Sequence, residues 1–267
     1  MICNKRSIFS FALMLFLPSF LHAGNFHTFF IQTTVNSEAI KNLQATLKPK
    51  IEKIIEQEVG TKQDKGFPAF FFKKRQAVTV YYVNDLFDSS EPLGCVMYLF
   101  VEPAVNAFAG KRAPKAFLSP QVKYFGQQKK GLCSGIDLVA LLDDPDQELS
   151  SFNQKLKQAL NTANKNYKRA YDTNLYDIKK SERFSFLPHI TLGSLRENYI
   201  KYLINDKQKE DEIVVRVKER IQKVISEAIA KMSNSERSLS FESISVYSAK
   251  TKKYVHSRKL KSKSFYK

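Results

Sequence analysis

The sequence predicts a mixed α+β protein, and three observations predict it. Stretches with apolar residues three and four apart, the mark of amphipathic helices, alternate with short runs rich in aromatic and β-branched residues, the mark of strands. The strands are dispersed among the helices. One pair of strand-like runs is separated by Lys129-Lys130-Gly131, a turn signal that implies a hairpin and so an antiparallel pair.

The first residues are set apart from this pattern. Lys5 and Arg6 are basic, Ile8 to Leu21 is apolar and uncharged, and Leu21-His22-Ala23 ahead of Gly24 offers a small residue at a cleavage point. That is the layout of a secretory signal peptide over residues 1–23, with residues 24–267 as the domain it exports. The apolar run is interrupted by Pro18 and falls short of the roughly 20 residues that span a bilayer, so no membrane anchor is expected once the leader is cleaved. A secreted or periplasmic protein is the resulting expectation. The formal net charge of +17 falls by two when Lys5 and Arg6 leave, and the excess is spread along the chain. A surface of that sign attracts polyanions, without defining a site for one. Cys3 leaves with the leader, and Cys95 and Cys133 could form one disulfide in an exported chain, a pairing that sequence leaves open.

Phe26 to Val35 reads as the first strand. Asn36-Ser37-Glu38 then starts a helix, and Ile40, Leu43, Leu47, Ile51, Ile54 and Ile55 line one face of it up to Gly60. Pro49 inside that run is expected to kink or split it. After a polar loop from Thr61 to Gly66, an extended region runs from Ala69 to Val83. Leu93 to Glu102 reads as another strand, and Pro103 to Pro120, with its small residues, Gly110 and Pro114, as loop. Val122 to Phe125 and Cys133 to Leu142 form the predicted hairpin. Asp144 is expected to cap a helix with Pro145 at its first position and Leu149, Phe152, Leu156 and Leu160 on one face. A polar connection from Tyr167 to Lys180 follows. A charged helix over about Gln208 to Met232 carries Ile213, Val217, Ile221, Val224, Ile225 and Ile229 as its stripe, and Leu239 to Ser248 and Tyr254 to Ser257 close the chain as strands. The basic run Arg258 to Lys263 reads as a solvated end.

The stretch Phe186-Leu187-Pro188-His189-Ile190-Thr191-Leu192-Gly193 carries the chemistry. On a strand, Phe186, Ile190 and Leu192 face one way while His189 and Thr191 face the other, placing an imidazole and a hydroxyl side by side at a spacing suited to a phosphate. There is no metal-ligand spacing, no Gly-rich phosphate loop and no G-x-S-x-G. Metal-dependent hydrolysis, nucleoside triphosphate chemistry and serine-hydrolase chemistry are therefore unsupported, and no cofactor or metal is expected.

The order of elements resembles that of the 2H phosphoesterases, which include the bacterial RNA 2′,5′-ligase and cyclic phosphodiesterase-like proteins. The most specific pieces are Pro188-His189-Ile190-Thr191-Leu192 and the closing Phe241-Glu242-Ser243-Ile244-Ser245-Val246-Tyr247-Ser248. The resemblance implies two pseudo-symmetric lobes of antiparallel sheet with outer helices around a central groove, and two H-x-T strands facing that groove. It also implies that one imidazole deprotonates the attacking hydroxyl or water, that the other protonates the leaving oxygen, and that both threonines hold the phosphate. The place of the first motif reads Ala77-Val78-Thr79, so Thr79 matches and Ala77 stands where a His is expected. The implied catalytic set is thus His189, Thr191 and Thr79. His27 on the first strand, His256 near the last strand and Tyr81, on the same face as Thr79, are the candidates for substrate contact or for replacing the missing ring.

On this reading the protein is an exported 2H-type phosphoesterase acting on 2′,3′-cyclic phosphate ends of RNA or on cyclic nucleotides, weakened at its first motif and expected to work as a monomer. The alternatives are a non-catalytic module of the same fold that binds a nucleotide or RNA end, and a basic exported protein that uses the fold only for protein or membrane-surface contacts.

Overall fold

The computed structural model describes residues 29–60, 66–83, 97, 101–126, 131–171, 186–248 and 251–261. The expected leader, His27 and Cys95 lie outside the described residues. Cys133 is exposed and carries a free thiol.

Strand β1 (Phe29–Val35) alternates strictly between buried and half-buried residues. Helix α1 (Glu38–Val59) begins where the Ser37 hydroxyl accepts a hydrogen bond from the Ile40 amide at 3.2 Å. It ends at Gly60, whose φ of 76° lets its amide close the last turn on the Glu56 carbonyl at 2.9 Å. The helix runs through Pro49 as one element, so it is not split there. A proline there removes one internal hydrogen bond, but Leu47, Ile51, Ile54 and Ile55 on either side of it are buried, so both halves pack into the same core.

The middle of the chain departs most from the sequence expectations. Among the described residues, Glu102 opens a short helix α2 (Glu102–Asn106) instead of closing a strand, with Pro103 near its start, where a missing amide costs nothing. The expected loop up to Pro120 is largely strand β4 (Lys115–Phe125). Pro120 is tolerated because the β4 register slips between Leu118 and Val122, so the ladder asks for no amide there. The Pro120 carbonyl is taken instead by the Ser226 hydroxyl at 2.6 Å. The predicted hairpin partner is β5 (Ile136–Asp143).

Helix α3 (Glu148–Tyr171) starts three residues later than Pro145, yet Asp144 still caps it, accepting from the amides of Leu149 at 3.1 Å and Ser150 at 2.7 Å. It absorbs the start of the expected polar connection, through Tyr171. Two short helices escaped the sequence reading. α4 (Glu197–Leu203) follows strand β6 (His189–Leu195), and α6 (Asn234–Arg237) follows the long α5 (Glu210–Ala230), held by a capping box between Ser233 and Glu236. The expected extended region from Ala69 is two strands, β2 (Phe70–Phe72) and β3 (Gln76–Val83).

All pairings between named strands are antiparallel, which makes this an α+β fold. Hydrogen bonding runs through the order β1, β3, β6, β5, β4, β7 (Ser238–Ser248) and β8 (Lys253–Lys259), with β2 also on β6, and β7 pairs back with β1. The strands thus share one continuous circuit. One core lies under the helices: α5 packs on β4 and α1, and α3 on β3 and β4. Asn153 of α3 donates to the Val80 carbonyl, the residue that β3 bulges out of its pairing with β1.

Candidate active site

The site is built by one cross-strand pair. Val78 of β3 and Ile190 of β6 are antiparallel partners, and both are fully buried. Because the pair is antiparallel, Thr79 and His189 lie one residue to one side of it, and Ala77 and Thr191 one residue to the other. All four are half-buried, on the face that Val78 and Ile190 do not occupy. The two strands expected to face each other across a groove are therefore direct neighbours, and their polar residues interleave.

His189 and Thr79 each have a defined hydrogen-bond partner. The Nδ1 of His189 lies 2.8 Å from the Leu187 carbonyl, which can only accept, so Nδ1 carries a proton and the lone pair of the neutral ring falls on Nε2. The ring of Phe125, 46% exposed, lies against the imidazole with centroids 4.9 Å apart and planes tilted by 33°. On the other side of the pair, Gln32 of β1 donates from Nε2 to the Thr79 hydroxyl at 3.2 Å and accepts at Oε1 from the Tyr254 phenol at 3.0 Å. Burial pushes the Tyr254 pKa above its ordinary value, the charge of Arg75 opposes that, and Tyr247 adds to it, so the phenol stays protonated and acts as the donor. Arg75 stacks on that ring, its guanidinium carbon 3.9 Å from the centroid. Next to Ala77 on β1, the hydroxyl of Thr34 is buried with no hydrogen-bond partner.

The remaining sequence candidates fall elsewhere. Tyr81 is half-buried and packs against the hydrophobic core. His256 pairs with core-facing Val246, its Nε2 is 3.0 Å from the Asn106 side chain and its Nδ1 is 3.6 Å from Glu102, so it turns toward α2. Burial and Arg258 depress its pKa, with Glu102 partly offsetting them, and its ring is neutral near pH 7. His27 lies outside the described residues. Gln32, Arg75, Tyr254 and Phe125 escaped the sequence reading because each acquires its role from a partner far along the chain. The one available signal was the parity of Gln32 between Phe30 and Thr34 on β1. Among the described residues, no group of three or more His, Cys, Asp or Glu could hold a metal ion.

No family model matches the chain, and no curated protein matches it. Among solved structures, Usb1 of Kluyveromyces marxianus is similar at 7% identity, with a TM-score of 0.49 over 82% of this chain and 92% of that one. A structure of the same yeast protein with uridine monophosphate is similar at 11% identity, with a TM-score of 0.44 over 84% of this chain and 93% of that one. The chain itself is an α+β protein of antiparallel strands whose central pair presents one imidazole and two threonine hydroxyls on a common face.

Proposed function

We propose that this protein is an exported 2H-type phosphoesterase with a single catalytic imidazole, acting on 2′,3′-cyclic phosphate ends of RNA or on cyclic nucleotides. The observation that carries the reading is the Val78–Ile190 pair, because it gathers His189, Thr191 and Thr79 on one half-buried face. In this reading the threonine hydroxyls donate to the phosphoryl oxygens, and the lone pair on His189 Nε2 takes a proton from an attacking water as its oxygen bonds to phosphorus. The bond from phosphorus to one ribose oxygen breaks, and because Ala77 offers no proton, the departing alkoxide takes one from solvent. A positioned acid is worth roughly 10²–10⁴ in rate, so turnover is slow. The leader at residues 1–23, a monomeric chain and the arrangement of the sheet as two related lobes around the site belong to the same proposal.

The same alanine favours a second reading, a binding module for nucleotide or RNA ends that has lost turnover. Incubation with adenosine 2′,3′-cyclic monophosphate separates the two. Product that disappears in His189→Ala supports the enzyme, saturable binding without product in the unaltered protein supports the module, and neither result sinks both.

A further inference from the structure

The proposed reaction leaves one side of the phosphate without a counter-charge, and this inference rests on that reading. A cyclic phosphate diester carries a full negative charge, yet beside Ala77 the strand pair offers only hydroxyls. Arg75 stands two residues ahead of Ala77, is exposed, and forms no ion pair with a described carboxylate. Its guanidinium is held over Tyr254 at 3.9 Å, and the Tyr254 phenol is hydrogen-bonded through Gln32 to Thr79. We infer that Arg75, braced by Tyr254 and coupled through Gln32 to Thr79, is the anion anchor of this face and grips the phosphate from the side opposite His189.

Two consequences follow from the direction of the hydrogen bonds. Thr79 accepts from Gln32, so its own hydroxyl hydrogen is left for a phosphoryl oxygen; the relay orients Thr79 as a donor before substrate arrives. The Arg75 guanidinium offers charge and a fork of N–H donors, not an acid or base for the reaction.

The test uses binding of adenosine 2′,3′-cyclic monophosphate, measured by calorimetry. Arg75→Ala is expected to raise Kd at least about tenfold, the worth of a hydrogen bond to a charged group. Arg75→Lys keeps the charge but not the planar fork and is expected to recover only part of that loss. Tyr254→Phe keeps the stacking ring but frees Gln32 to turn, and is expected to weaken binding severalfold without changing its salt dependence. Lys74→Ala, which removes a charge from the same turn without touching the relay, should stay within about twofold, as expected of an exposed, screened charge. Arg75 is exposed, so its variants fold even if Tyr254→Phe does not. If Arg75→Ala stays within twofold while His189→Ala and Thr191→Val weaken binding, the anchor is overturned and the proposed function stands. If none of these variants changes binding, both fall.

Discussion

Val78 and Ile190 are 45 and more residues from their other sheet contacts in sequence terms, yet they form the single registered pair between β3 and β6, and both are fully buried. Because strand side chains alternate, burying these two residues obliges Thr79, Ala77, His189 and Thr191 to share the opposite face. The polar constellation is thus a by-product of two buried aliphatic side chains.

Restoring a ring at position 77 should restore chemistry. Ala77→His places an imidazole on the same side of the pair as Thr191 and beside the unpartnered Thr34 hydroxyl, and is expected to raise hydrolysis of a 2′,3′-cyclic nucleotide at least about tenfold, a conservative share of what one acid supplies. The gain should vanish when His189→Ala is added, because the two rings act as a pair. It should also be smaller for an aryl phosphodiester, whose leaving group needs no proton. An equal gain on both substrates would rule out a general acid at this position.

Gly193 lets β2 lie against β6. A Cβ there would meet the Phe71 carbonyl oxygen at 2.7 Å and the Phe70 ring at 2.5 Å, and the first of these is backbone. Gly193→Ala is expected to cost about 1–3 kcal/mol, as overpacking does, read as a lower urea midpoint. An unchanged midpoint would mean that β2 moves aside freely.

Glu58 near the end of α1 is held by Arg216 at 3.0 Å and Arg220 at 2.7 Å on α5. Burial raises its pKa, but the hydrogen bonds from Arg220 and Arg216 outweigh that and leave it below the ordinary value. A depressed carboxylate contributes stability that is present above its unfolded pKa and lost as pH falls through its folded one. Glu58→Gln should therefore lower the urea midpoint modestly at pH 7, because both guanidinium groups are partly exposed, and the difference should close below about pH 4. A difference that persisted in acid would point to packing in place of charge.

His256 titrates in the opposite sense to a salt-bridged histidine. Its depressed pKa means the unfolded chain binds the proton first, so stability falls as pH drops below about 6.5 and continues to fall until the folded value is passed. His256→Gln should flatten the stability profile as pH falls below about 6.5 while leaving cyclic-phosphate turnover unchanged. Parallel profiles, or lost turnover, would place this ring in the site after all.

Periodicity in the sequence determined the long helices, the first and last strands, the hairpin and the face shared by His189 and Thr191, because burial of alternate or helically spaced side chains is a local property of the chain. It did not determine where a proline is tolerated. Pro49 and Pro120 break local rules, and it is the buried stripe of α1 and the bulge in β4, satisfied by Ser226, that make them acceptable. Nor could it order the site. Thr79 gains its hydrogen-bond direction from Gln32, Gln32 from Tyr254, and Tyr254 lies under Arg75, across sequence separations of 47 and 222 residues for the two hydrogen bonds. Such contacts leave no local period to read, since each depends on which strands the closed sheet brings side by side. The same sheet turned His256 toward α2, because a bulge between Val246 and Tyr247 shifts the register of β8 and with it the face each side chain occupies.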